Sequence, residues 1–287
     1  MTQRVERLTG RAWSNSVVLC NTDRDPARER KYVEEPRAMR AGIIFTGGGI
    51  NREAHLSDLL SHPAPVVMIG RHELPFSSVE IDNIQGTMDA TTHLVELGHR
   101  RIAFLSGPLT SATAADRLEG FRRAMMQHDL PMEERLVAEG DFSIEGGAKG
   151  LRQLLESPRP PTALFAANDE MAIGAPREAR HRPLPVPEEL AVVGFNDIPA
   201  ASEAVPPLTT IHLSLRQIGR MAAELLLKQL QMGRGARVPS VLTGASRWCG
   251  NRRYRNRPHP NLRRSNTPHP QHHPDRSCHG GSLSDQE

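Results

Sequence analysis

The sequence predicts an α/β fold of two doubly wound parallel-sheet lobes followed by a disordered C-terminal tail. Three observations carry this reading. Short β-branched runs alternate with helix-length periodic segments, the alternation starts afresh near residue 99, and periodicity stops after residue 250. Parallel strands need crossover connections and a helix is the usual crossover, so two such series make two sheets covered by helices.

The elements follow in order. Met1–Trp13 reads as a helix with no strand before it, and Val17–Cys20 as the first strand. Asp25-Pro26 places an N-cap ahead of a proline at the first helical position, and this helix runs to about Arg40. Gly42–Thr46 is a strand, Arg52–Ser61 a helix, Pro65–Ile69 a strand and Val79–Asp82 a shorter one. The helix Gly86–Leu97 is closed by Gly98, where a left-handed residue is expected.

In the second series Arg101–Ser106 is a strand, and Ala114–His128 is a helix with Leu118, Phe121 and Met125 on one face. Glu145–Glu156 follows, with Ala148, Leu151, Leu154 and Leu155 on its apolar stripe. Thr162–Ala166, the segment from Asp169, and Leu190–Phe195 repeat strand, helix, strand. Arg216–Met232 is a helix with Ile218, Met221, Ala222 and Leu225 inward and Gly233 as its stop.

Two segments break the pattern. Pro176 falls inside the helix begun at Asp169, and Arg177–Pro185 is crowded with Arg, His and Pro where a helix end and a turn belong. In residues 251–287 only Tyr254, Leu262, Cys278 and Leu283 are apolar or aromatic, too little surface to offset the entropy of ordering the chain.

Composition excludes several classes. With 38% hydrophobic and 24% charged residues the chain can build a globular core. Its longest apolar runs, Leu190–Phe195 and Val66–Ile69, are strand-sized and far short of the roughly 18 to 20 residues of a membrane span, so no membrane association is expected. Met1–Gly10 carries Arg4, Glu6 and Arg7 and no apolar stretch, which predicts no secretory signal and a cytoplasmic location. Cys20, Cys249 and Cys278 stand far apart in no motif, against both a disulfide framework and a zinc site. The net charge of +3 is exceeded by the surplus of the tail, where seven arginines face Asp275, Asp285 and Glu287. The preceding body is close to neutral and carries no basic footprint of its own.

Ligands of doubly wound folds sit beyond the carboxyl ends of the strands. Asp82-Asn83, Asn168-Asp169 and Asn196-Asp197 each follow a strand, and Arg117 lies on the first turns of the helix after Arg101–Ser106. Carboxylates and carboxamides can bond hydroxyls, amides or amines, and an arginine adds a fork of donors. Each pair alone could be an N-cap or turn. Recurrence at three strand ends, with Arg117 among them, favours a binding site.

Other signals are weaker. Gly47-Gly48-Gly49 lacks the G-x-G-x-x-G spacing and the following acid of a dinucleotide site, and reads as a turn. His259, His269, His272, His273 and His279 are spaced too irregularly for a metal site. No Walker, zincin or nucleophile-elbow motif occurs, so no enzyme, cofactor or metal is expected. A dehydrogenase-like enzyme using the glycine run would need a proper fingerprint and a catalytic His or Lys beside it.

The run Thr92–Pro108, THLVELGHRRIAFLSGP, resembles the signature of the lactose-repressor (LacI/GalR) family of transcription regulators. ADRLEGF ending at Phe121, AANDEMAIG from Ala166, AVVGFNDIP from Ala191 and PPLTTI from Pro206 stand in the family's order and spacing. CNTDRDPARERKYV from Cys20 and GIIFTGGG from Gly42 also fit, so the resemblance covers roughly residues 2–245. It implies a periplasmic-binding-protein-like body that takes a small effector, a sugar or nucleoside-like molecule, between its lobes and forms a homodimer.

On that pattern residues 1–98 with 209–236 make the first lobe, 99–208 with 237–250 the second, and 251–287 the tail. Arg117, Asn168, Asn196 and Asp197 match family positions that bond the effector, and Asp82 matches less closely. Family members often carry Asp where Asn196 stands, which exchanges an acidic acceptor for a carboxamide.

Operator DNA is the partner of the full-length family member. The family's helix-turn-helix head and the first strand of the first lobe have no counterpart in this sequence, so the chain as given is expected not to bind operator unaided. Departures near residue 1, around Pro176–Pro185 and after Ser246 predict changes of reading frame there, which translation of the neighbouring frames would check. A transporter's solute-binding protein would share the two-lobed form but needs an export signal or lipid anchor.

Overall fold

Alternating buried strands and amphipathic helices assemble into two parallel sheets in the computed structural model. It describes residues 2–4, 16–21, 27–28, 31–32, 42–46, 60, 64–72, 74–182, 184–232, 241–243 and 248–249. The first sheet contains β3 (Ile43–Thr46), β4 (Val66–Ile69), β5 (Ser77–Ile81) and β11 (Val241–Thr243), in the order β11-β5-β4-β3, all parallel. The second contains β6 (Ile102–Ser106), β7 (Val137–Glu139), β8 (Ala163–Ala166), β9 (Ala191–Asn196), β10 (Thr209–His212) and β12 (Trp248–Cys249). Its order is β12-β10-β9-β8-β6-β7, parallel except where β12 runs antiparallel on β10.

The helices are α1 (Asn83–Glu96), α2 (Ala112–Gln127), α3 (Ile144–Leu154), α4 (Asp169–Ala179), the short α5 (Pro199–Glu203) and α6 (Leu215–Met232). The second sheet is buried through β6 and β8, as expected of a parallel sheet covered on both faces. Phe104 on β6 stacks on Phe121 of α2 at 4.9 Å between ring centres and meets Phe165 of β8 edge-on at 5.4 Å. The helices α3 and α4 approach closely at Gly147 and Gly174, where a Cβ would collide with the backbone at Met171 and Ile144 respectively.

Several expectations need correction. The start of the chain is not helical where it is described: β1 (Thr2–Arg4) pairs antiparallel with β2 (Ser16–Val18) in a separate small sheet. The expected strand Val17–Cys20 thus does not enter the first parallel sheet, and Val18 and Leu19 are 69% and 78% exposed. A partner nearby in sequence costs less loop-closure entropy than a distant parallel one. The helix from Asp169 runs on through Pro176 to Ala179, although the proline leaves the Ala172 carbonyl without its usual donor.

Lobe membership also differs from the expected division. Strand β10 pairs with β9 in the second sheet, whereas the family pattern places 209–236 in the first lobe, and β11 pairs with β5 in the first, whereas that pattern places 237–250 in the second. Helix α1, expected in the first lobe, packs along α2, and α6 covers β3, β4 and β5. Hydrogen bonding to a neighbour already in place decides membership, and chain order does not report it.

The rest of Met1–Trp13, most of the expected helix at Asp25–Arg40, Gly47–Gly49, the helix at Arg52–Ser61 apart from Leu60, and 251–287 lie outside the described residues. Positions 27–28 and 31–32 are helical.

Candidate functional site

Arg117 sits on the second turn of α2 and its side chain turns inward, leaving the residue 3% exposed. Its Nε donates to Asn83 Oδ1 at 2.9 Å, one Nη donates to the Ala167 carbonyl, and the other donates to Asn196 Oδ1 at 3.2 Å. The guanidinium also lies 3.7 Å above the ring of Phe195. One planar group thus joins the tips of β5, β8 and β9. Burial pushes its pKa down to about 9, while the charges of Asp169 and Asp116 hold it up. It remains a cation at neutral pH.

The tip of β9 is strained. Asn196 and Asp197 both have positive φ, 118° and 58°, in the region that favours glycine. Two such residues in succession persist where the surroundings hold them, a pattern common at ligand sites. Asn196 is held by Arg117 and by its place in β9. Asp197 Oδ2 lies 2.7 Å from His212 Nδ1 at the end of β10.

Asn168 caps α4. Its Oδ1 accepts from Met171 N at 3.1 Å, and its Nδ2 donates to the Phe142 carbonyl at 2.9 Å. Asp169, the next residue, is fully buried; its Oδ2 accepts from Ile198 N at 2.9 Å and its Oδ1 accepts from Thr210 Oγ1. Desolvation moves the Asp169 carboxyl above its ordinary pKa, with those hydrogen bonds opposing.

Asp82 caps α1 by accepting from Gln85 N at 2.9 Å. The hydrogen bond that ties this strand end to Arg117 comes from its neighbour Asn83. Asn83 stood in the paired motif but was not among the expected site residues. Asp82 and Asn168 thus cap helices at the same strand tips where Asn83 and Asn196 hold Arg117.

Sequence reasoning missed Phe142. It has φ 66°, accepts from Asn168 through its carbonyl, and lays its ring against Gly107 just past β6, where a Cβ would collide with it. The signal was an aromatic residue just after a strand end, hidden because β7 itself is too short to read.

The tips thus gather carboxylates, carboxamides, a shielded guanidinium and an aromatic face, a set suited to a polar molecule with hydroxyl groups. Among the described residues no group of three His, Cys, Asp or Glu is placed to hold a metal ion. No described helix is long and apolar enough to cross a membrane.

Residues 91–249 match the periplasmic binding protein-like domain. Over 214 residues the chain is 36% identical to the HTH-type transcriptional repressor CytR of Escherichia coli strain K12, covering 72% of this chain and 62% of that repressor. The chain therefore spans less than two thirds of that relative's length. Among solved structures, a regulatory protein of the LacI family from Chloroflexus aggregans superposes with a TM-score of 0.68 at 33% identity, over 77% of this chain and 80% of that one. A complex of the transcriptional regulator CelR with cellobiose gives 0.71 at 31% identity, over 77% and 68%. All three are transcriptional regulators and not enzymes.

Proposed function

The chain belongs to the LacI family of transcriptional regulators, and from that premise we propose that its two lobes are the effector-sensing body of a cytoplasmic repressor responding to a small neutral sugar. The observation that carries this reading is Arg117, bonded at once to Asn83, the Ala167 carbonyl and Asn196. A ligand that competes for any of these bonds changes how the strand tips are held together, which is the differential contact a conformational signal needs.

The chemistry favours a hydroxyl-rich molecule without formal charge. Asp82, Asp197 and Asn196 can accept from hydroxyls, the Asn196 amide can donate, and the Phe142 ring offers an apolar face to a sugar's C–H surface. The charges of Asp169 and Asp116 already act on Arg117, so the site calls for no anionic partner. The structural neighbour CelR was solved with cellobiose. Operator binding and repression belong to the whole regulator, of which these residues supply the sensing part.

Thermal unfolding with a panel of neutral mono- and disaccharides, cellobiose included, and of nucleosides tests the reading. A ligand at 100 times its Kd adds about 2.7 kcal/mol, raising Tm by about 5 °C or more in a chain of this size. A sugar should give that shift and Asn196→Ala should abolish it. A response to nucleosides alone rejects the sugar, and no response to any compound rejects the sensing site.

We also propose a homodimer. Val205 is 80% exposed and, with the half-buried Pro176, Leu184 and Val186, lines an open groove of about 540 Å³ at the end of α4, rimmed by Arg180, Arg182 and Glu189. An exposed apolar side chain ringed by charges of both signs suits a contact with a second copy of the same chain. Sedimentation equilibrium should give twice the chain mass, and Val205→Asp should return the monomer mass; a wild-type monomer at all concentrations would end the idea.

A further inference from the structure

We propose that Arg71 and Asp116 form a latch between the two lobes that sets how readily the effector crevice opens. Arg71 lies just past β4 of the first sheet, where Gly70, with φ 105°, turns the chain and donates its N–H to the Val79 carbonyl. Asp116 lies on α2, which packs against β6 of the second sheet. Arg71 Nε donates to Asp116 Oδ2 at 3.0 Å and Arg71 Nη2 donates to Asp116 Oδ1 at 2.9 Å. This is the two-pronged arginine–carboxylate geometry, which fixes orientation as well as distance.

Its placement suits control and not bulk stability. The Arg71 side chain is 46% exposed and that of Asp116 15%, so water competes for the pair. A pair of this kind biases an open–closed equilibrium by a factor of about five at most, enough to tune access without locking the lobes. Asp116 also directly precedes Arg117, and its charge is one of the two that sustain the buried guanidinium. Opening the latch therefore moves a carboxylate at the edge of the ligand-binding tips. A ligand that draws Arg117 or the β4 loop toward itself is coupled to the latch, and the latch in turn affects that ligand's affinity by the same factor.

The latch acts on the crevice assigned above and rests on that reading for its use. Its test contains no ligand, so the two can fail separately. Spin labels are placed at Met126→Cys on α2 and Leu230→Cys on α6, both exposed, after Cys20, Cys249 and Cys278 are replaced by Ser in the full chain. Pulsed electron–electron resonance then reads the distance between the lobes. Arg71→Ala and Asp116→Ala should each shift the distribution to longer distances and broaden it. The double variant should match Asp116→Ala, because with the carboxylate gone the latch bond is already lost, and Arg71→Lys should fall between wild type and Arg71→Ala. An unchanged distribution in the single variants, or shifts that add in the double variant, would overturn the latch.

Discussion

Replacing Arg117 by Met is expected to lower the unfolding free energy by about 3 kcal/mol, read as a fall in the urea midpoint at constant slope. Methionine fills much of the arginine's apolar volume, so the loss comes mainly from the acceptors left behind. Asn83 Oδ1 and the Ala167 carbonyl lose a donor in places shielded from water, and the half-buried Asn196 Oδ1 loses one as well. Each orphaned acceptor costs about 1–3 kcal/mol, and relief from burying a cation returns part of the sum. Substituting apolar residues for buried ions can stabilise a protein when every partner goes too. Here the partners are neutral oxygens that stay, so the sign is destabilising. Lysine keeps the charge but cannot span three acceptors, so Arg117→Lys should lie between wild type and the methionine variant. A midpoint for the methionine variant equal to that of wild type would show that Arg117 does not hold the strand tips together.

Replacing Asp169 by Ala is expected to cost about 3–5 kcal/mol, the range for removing one member of a buried charged network. The Ile198 amide and the Thr210 hydroxyl lose their acceptor, the first turn of α4 loses a carboxylate, and Arg117 loses the larger of its two sustaining charges. Asp169→Asn should cost much less, because its oxygen can still accept from Ile198 N and its amide can donate to the Thr210 hydroxyl.

The two variants also separate a pH effect. Desolvation raises the folded-state pKa of Asp169 above its ordinary value of 3.8. The stability this group contributes through protonation is therefore fully present below about pH 3.8 and is lost as pH rises through the higher folded value. Urea unfolding across a pH series should show wild type losing stability over that window relative to Asp169→Asn, which has nothing to titrate there. Parallel pH profiles for the two proteins would contradict the assignment.

Much of the fold is legible in the chain because its signals are local. The helix predicted at Gly86–Leu97 is α1, Asn83–Glu96, and Gly98 closes it with φ 96° as its position implied. The strands expected at Arg101–Ser106, Thr162–Ala166 and Leu190–Phe195 become β6, β8 and β9 within a residue or two, since each is a buried apolar run. Leu118, Phe121 and Met125 all face the core, as their spacing on one helix face requires. Strands β7 and β10 were invisible: one is three residues long after a 3₁₀ turn, and the other is threonine-rich and ends in His212.

The candidate site was legible as a set of strand-end positions and not as a network. Arg117 and Asn196 are bonded across 79 residues of chain, and Arg117 and Asn83 across 34. No periodicity predicts that Asn83, rather than Asp82, takes the guanidinium while Asp82 caps α1.

The amino-acid order by itself determined most of the long helices and the buried apolar strands β6, β8 and β9, which faces they bury, and at which strand ends polar side chains collect. Tertiary structure alone decided that β10 joins the second sheet and β11 the first, that Asn83 and Asn196 converge on one arginine, and that Phe142 lies against Gly107. The reason is physical: hydrophobic period reports that a face is covered, whereas pairing partners and hydrogen-bond networks depend on which distant segment does the covering.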